Sequence, residues 1–230
     1  ICPSHGVIWR EHPEQIVEKY LEWAGNYQEN QISIVYDTMW NSTRRMAEAI
    51  AEGIGDADET VKVMLLNSSK ADKTDIITEI FKSKAVVLGS PTVNNGYLYS
   101  IAGILELMKG AKFKKKKAAA FGSYGWSGES VKLINEELEK AGFEVVDAGK
   151  RITWAPDGEM LEALHAYGME LAGKAPVVRA TDFQGEDGVY ELTVDMEYRV
   201  MDGWHIVRET AQPGIMLMAI YIGELDEVDI

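Results

Sequence analysis

Three short segments concentrate hydroxyl, amide, glycine and aromatic side chains, and each directly follows an apolar run. In the first, Tyr36-Asp37-Thr38-Met39-Trp40-Asn41-Ser42-Thr43 joins a β-rich run to a helical pattern. A helix start offers unpaired N–H groups and the positive end of its dipole. Thr38, Asn41, Ser42 and Thr43 add donors, so this segment can hold an anionic phosphate without a lysine. Taken alone, the same letters also describe a plain helix cap at Asn41 or Ser42. The absence of Gly-x-Gly-x-x-Gly and Gly-Lys-Ser/Thr here counts against a dinucleotide or nucleoside triphosphate.

The second segment is Ser90-Pro91-Thr92-Val93-Asn94-Asn95-Gly96-Tyr97 and the third is Ser123-Tyr124-Gly125-Trp126-Ser127-Gly128. Both bring backbone amides, small residues that permit close approach, and rings able to cover a flat heterocycle. Each taken singly reads as an ordinary turn. Their common placement after successive apolar runs changes that reading.

The elements that must position them follow from periodicity. Residues 31–173 alternate apolar β-rich runs with helical patterns, as a parallel sheet wrapped by helices requires. Strands are expected at 32–36, 61–66, 85–89, 118–122 and 143–146, and helices near 43–54, 74–82, 98–109, 129–141 and 157–173. The nearly continuous apolar character of the runs suits strands covered on both faces. The expected fold class is therefore α/β, a doubly wound five-stranded parallel sheet. In such a sheet the ligand crevice lies at the carboxyl ends of the strands, where all three segments fall.

The wording of these loops resembles a known family. YDTMWNST, SPTVNN and FGSYGWSGESVK are similar to the flavodoxin-like FMN module of flavodiiron proteins, the A-type flavoproteins that reduce dioxygen or nitric oxide. The resemblance spans about residues 1–173. It implies that Thr38, Met39, Trp40, Asn41, Ser42 and Thr43 surround the FMN phosphate. Pro91, Thr92, Val93, Asn94 and Asn95, with Ser123, Tyr124, Gly125, Trp126, Ser127 and Gly128, would line the isoalloxazine and ribityl chain. The opening Cys2-Pro-Ser-His-Gly-Val-Ile-Trp9 resembles the end of the diiron domain that precedes the module, and His5 matches that domain's last histidine ligand. No His-x-Glu-x-Asp-His run occurs, so a diiron centre would need ligands from outside this sequence, and one histidine holds no iron pair.

By the same resemblance the module takes electrons from a small redox protein such as rubredoxin, or from a flavin reductase, and passes them to a diiron site, in a head-to-tail homodimer. Two rivals stay open. One is a free-standing FMN-dependent NAD(P)H or quinone reductase of the same fold; the other is a non-catalytic interaction module on an empty scaffold. Turnover with NADPH and a quinone, or a colourless protein, would separate them.

Domain organisation is expected as residues 1–29, the end of a preceding domain with a lead-in helix near 13–25; 30–175, the FMN domain; and 176–230, a β-rich tail. The tail has strand-like runs at 189–194, 198–201, 204–207 and 215–222, with Asp202-Gly203 as a hairpin turn. It carries 12 acidic and 3 basic residues from 177 to 230, within a net charge of -14 for all 230 residues. That balance argues against nucleic acid as a partner. With no cysteine in the tail, a rubredoxin there is excluded.

The sole cysteine, Cys2, permits no internal disulfide, and together with the lack of a signal-like opening this points to a cytoplasmic protein. The longest apolar stretch, residues 215–222, is far short of the ~20 residues of a membrane span. The start at Ile1 suggests a piece of a longer chain. The run Lys114 to Lys117 reads as a solvated turn, and His165 and His205 as surface or packing residues.

Overall fold

The computed structural model describes residues 1–175 and the strand pair 204–207 and 218–221. The chain separates into two compact units, Asn26–Asp182 and the residues on either side of it. In the first unit six stretches build one sheet: β1 (Glu29–Tyr36), β2 (Lys62–Asn67), β3 (Ser83–Gly89), β4 (Lys117–Tyr124), β5 (Glu144–Val145) and β6 (Lys150–Thr153). All pairings are parallel, in the order β2-β1-β3-β4-β5, with β6 also on β4. Chain order reverses between β1 and β3, so the loops leaving them splay apart and open a crevice.

Five helices cover the sheet: α2 (Ser42–Ala57), α3 (Lys73–Lys82), α4 (Tyr99–Ala111), α5 (Ser130–Lys140) and α6 (Gly158–Lys174), α1 being the separate helix Glu14–Ala24. Alternation along the strands sorts side chains to two cores. Ile32, Ile34, Val87 and Phe121 join α2 and α6 on one face, whereas Val35, Val86, Leu88 and Ala120 join α3, α4 and α5 on the other. All seven residues of β3 are buried, while the edge strand β2 has none. The expected strands and helices therefore stand in number and order apart from a break in the fifth strand, with boundaries moved by no more than three residues.

Two close approaches position the site. Gly89 pairs with Phe121 in register, and a Cβ at 89 would lie 2.2 Å from the Phe121 ring. The glycine thus leaves space at the very end of β3 for the ring. On the same face as the Phe121 ring, α2 and α6 cross backbone to backbone, because Gly53 faces the His165 carbonyl and Gly168 faces the Ile50 carbonyl. His165 adds an Nε2–Asp56 Oδ2 contact of 2.8 Å across that crossing, consistent with its expected packing role.

The structure corrects two expectations. The fifth strand is broken: β4 pairs first with Glu144–Val145 and then, after a two-residue insertion, with Lys150–Thr153. Gly149, at φ +83°, makes the break, and Asp147 anchors it by accepting from Gly149 N–H and Tyr167 Oη, each at 2.8 Å. Sequence periodicity ends at Val146 because the second piece, Lys-Arg-Ile-Thr, presents a single buried apolar residue, Ile152.

The second correction concerns the lysine run. Lys116 is only 3% exposed, and its ammonium donates to the carbonyls of Phe81 at 2.7 Å and Ser83 at 2.6 Å. Entry into β4 turns this one side chain inward beneath the amino end of the sheet while Lys114 and Lys115 stay exposed.

Outside this unit, α1 is a helix as expected and buries no residue. The strands β7 (Trp204–Val207) and β8 (Met218–Tyr221) pair antiparallel, Trp204 opposite Tyr221. The expected strands at 189–194 and 198–201 and the Asp202-Gly203 turn lie outside the described residues. No described helix is long and apolar enough to cross a membrane.

Candidate functional site

The loops after β1, β3 and β4 end at the same edge of the sheet. Asp37 fixes the first. Its buried carboxylate accepts from Thr38 N–H at 2.8 Å, from Ser69 Oγ at 3.0 Å and from Ser100 Oγ, so it ties the exits of β1 and β2 to the start of α4. Neither Ser69 nor Ser100 could be assigned to the site from sequence, since both partners are distant in the chain. Beyond Asp37 the chain turns through Asn41, left-handed at φ 65°, into α2. Asparagine tolerates this conformation better than other side chains with a Cβ.

The start of α2 is left open. The Asn41 side chain makes no capping hydrogen bond, and the first turn carries no acidic residue. Its N–H groups are therefore available to an anion. In the loop that leads into this helix, the Thr38 hydroxyl oxygen is buried with no hydrogen-bond partner among the described residues. A buried hydroxyl without a partner is costly, so a ligand atom at this point has a ready donor. Met39 and Trp40 are exposed, Trp40 at 84%.

The second loop is a tight turn. Val93 and Gly96 exchange backbone hydrogen bonds of 3.1 and 2.8 Å, and Asn94 and Asn95 both have positive φ, at 50° and 57°. This is the pattern of a type I′ turn, which demands residues that tolerate left-handed backbone. Pro91 is buried and Thr92 and Val93 half-buried, leaving the Asn pair exposed.

Hydroxyls bind the loops into one body. Thr92 N–H donates to Ser123 O at 2.9 Å, and Thr43 and Ser123 join through their hydroxyls at 3.1 Å. Thr92 Oγ1 donates to Ser130 Oγ at 3.0 Å, and Ser130 Oγ donates in turn to Ser90 O at 3.1 Å. Thr43 and Ser123 are thus buried connectors between the loops. Asn41 and Ser42 remain at the open end of the helix. In the third loop Gly128, at φ +92°, lets Tyr124 pack over it: a Cβ there would stand 3.0 Å from that ring. Gly125 and Tyr124 are half-buried, while Trp126 and Ser127 are exposed, Trp126 at 89%.

Sequence reasoning missed one aromatic. Trp154 follows β6, 59% exposed, with its ring centroid 5.2 Å from that of Trp126 in an edge-on arrangement. It could not be placed because β6 itself was not foreseen. His5 belongs to the other unit and is exposed, and no group of three or more His, Cys, Asp or Glu able to hold a metal occurs among the described residues.

An open helix start with a partnerless buried hydroxyl, beside loops carrying several exposed rings, fits a flat heterocycle ending in a phosphate. The residues present therefore fit FMN, the cofactor of a flavodoxin domain. A flavodoxin model matches residues 34–167, more than half the chain, and the chain belongs to the flavodoxin family.

Within it, the sequence lies with the modules of flavodiiron proteins. It is 50% identical over 172 residues to the anaerobic nitric oxide reductase flavorubredoxin of Vibrio vulnificus (strain YJ016), covering 75% of this chain and 35% of that protein. The rubredoxin oxygen:oxidoreductase of Desulfovibrio gigas superposes with a TM-score of 0.70 at 37% identity, covering 75% of this chain and 43% of the other. The flavodiiron protein of Giardia intestinalis gives 0.69 at 30% identity, with 74% and 42% covered. The chain thus spans about a third of the length of the curated relative.

Proposed function

We propose that this chain is the FMN-binding electron-transfer module of a flavodiiron-type oxidoreductase. It would receive electrons from a small redox protein of rubredoxin type or from a flavin reductase. It would deliver them to a diiron site that reduces dioxygen or nitric oxide. When bound, FMN supplies the redox chemistry. The protein binds, orients and shields it.

The observation that carries the reading is the open start of α2 together with the partnerless Thr38 hydroxyl, within loops tied together by Thr43, Thr92, Ser123 and Ser130. In this reading Thr38, Met39, Trp40, Asn41, Ser42 and Thr43 surround the phosphate. Pro91 to Asn95 and Ser123 to Gly128 flank the ribityl chain and ring. Among these, buried Thr43 and Ser123 act by fixing the loops.

His5 would serve iron only together with ligands of a preceding diiron domain. Residues 1–29 would be the end of that domain, 30–175 the FMN domain and 176–230 an acidic tail. The name rubredoxin oxygen:oxidoreductase supports a rubredoxin-like partner, and a cytoplasmic homodimer belongs to the same proposal.

Equilibrium titration of the flavin-free chain with FMN and with riboflavin tests the site. FMN should bind at least 100-fold more tightly, since each charge-assisted hydrogen bond to the phosphate contributes about 1.5–3 kcal/mol. Thr38→Val should narrow the difference about tenfold without changing the fold. Equal affinity for the two flavins would remove the phosphate assignment.

A further inference from the structure

We propose that Trp154 is a positioning residue for the flavin site: it braces Trp126 edge-on, so that the Trp126 ring stands ready to cover the isoalloxazine. The inference rests on the FMN reading and adds a residue from outside the three flavin loops.

The backbone gives the first argument. Trp154 has φ +61°, a left-handed conformation that bulky side chains rarely adopt. A strained residue beside a binding site points to a role there, provided the surroundings hold it in place. They do so here. The Trp154 N–H donates to the Tyr124 carbonyl at 2.7 Å, extending the pairing of Thr153 with Tyr124 by one rung. The broken edge of the sheet thus ends by locking this tryptophan onto the third flavin loop.

Packing gives the second argument. A Cβ on Gly125 would lie 3.1 Å from two atoms of the Trp154 ring, so the glycine clears the space this ring occupies. The same ring meets that of Trp126 at 5.2 Å with planes inclined by 72°, a favoured edge-to-face geometry. Trp126 is 89% exposed, so it has few other contacts to fix its orientation. A ring so exposed would lose rotamer freedom on stacking against a ligand, and a neighbour that already limits it lowers that cost.

The test uses the full chain, unaltered and as Trp154→Ala, Trp154→Phe and Trp126→Ala. Without flavin, the two indoles should give an exciton couplet in far-ultraviolet circular dichroism, absent from every variant. With FMN bound, Trp154→Ala should brighten the flavin emission at least threefold and weaken FMN binding about tenfold, as Trp126→Ala does. Trp154→Phe should retain most of the quenching and affinity, because a smaller ring can still brace Trp126. Adding Trp154→Ala to Trp126→Ala should change little, since one residue acts through the other.

Emission and affinity unchanged in Trp154→Ala, while Trp126→Ala alters both, would overturn the bracing role and leave the FMN reading intact. Should Trp154→Ala not fold, Trp154→Phe decides: emission as bright as in Trp126→Ala overturns the proposal. An unaltered chain that shows the couplet but binds no FMN overturns the FMN reading itself, and the proposal with it.

Discussion

Single residues at the two ends of the sheet illustrate opposite uses of a buried polar group. At the carboxyl end Thr38 keeps a buried hydroxyl without a partner, where a ligand can use it. At the amino end Lys116 is satisfied by backbone carbonyls and lies about 6.0 Å from the ring centres of Phe81 and Phe113. Burial pushes the Lys116 ammonium down to about 8 from the ordinary lysine value. The unfolded chain, with a normal lysine, therefore binds the proton more tightly than the folded one. Stability should rise with pH between about 8 and 10.5, by about 3 kcal/mol at most, and this contribution should be flat below 8. Urea unfolding of the unaltered chain and of Lys116→Met across this range checks it: the stability difference should grow in favour of the unaltered chain as pH rises. A pH-independent difference would mean that Lys116 titrates normally. None of this was legible in the sequence, because a run of four lysines hides which one the strand turns inward.

Elements were more legible than their contacts. Strand and helix periods are local, so β1 to β4 and α2 to α6 could be read from runs of apolar residues. The break between β5 and β6 could not, because it depends on Asp147 being anchored by Tyr167 of α6 and Gly149 turning against the Ala120 carbonyl. With β6 went Trp154. The crossing of α2 and α6 was equally hidden, although the sequence does place a glycine on each helix. A Cβ at Gly53 would stand 1.9 Å from the His165 carbonyl oxygen, so Gly53→Ala must push the helices apart. Overpacking of this kind costs about 1–3 kcal/mol. Because α2 carries the phosphate end of the proposed site, the same variant should also narrow the preference for FMN over riboflavin. Gly55→Ala is the control, having nothing within 4 Å of the added methyl, and should stabilise by about 0.5–1 kcal/mol. Thermal unfolding and flavin titration of both variants would show it. A Gly53→Ala chain as stable and as selective as the unaltered one would mean that the crossing has slack.

At the scale of the whole molecule, the three loops of the proposed flavin site and the two hydrophobic cores of the described residues belong to residues 26–175. Ala175, itself 7% exposed, is the last of the described core residues, and its N–H closes α6 on the Leu171 carbonyl. A chain ended after Ala175 keeps every described contact of the sheet and is of ordinary size for an independent domain. It should bind FMN within about tenfold of the full chain, a difference of about 1.4 kcal/mol. What it loses is charge: residues 177–230 hold 12 acidic and 3 basic residues. If that tail steers or docks a basic redox partner, or another copy of the chain, its removal should weaken the association most at low salt. The deficit should fade as ionic strength rises and screens the charge. Flavin titration and solution mass of both chains, at low and at physiological salt, measure the two effects separately. A shortened chain that folds but loses more than about tenfold in FMN affinity would show that the tail reaches the flavin, and that the site extends beyond the three strand-end loops.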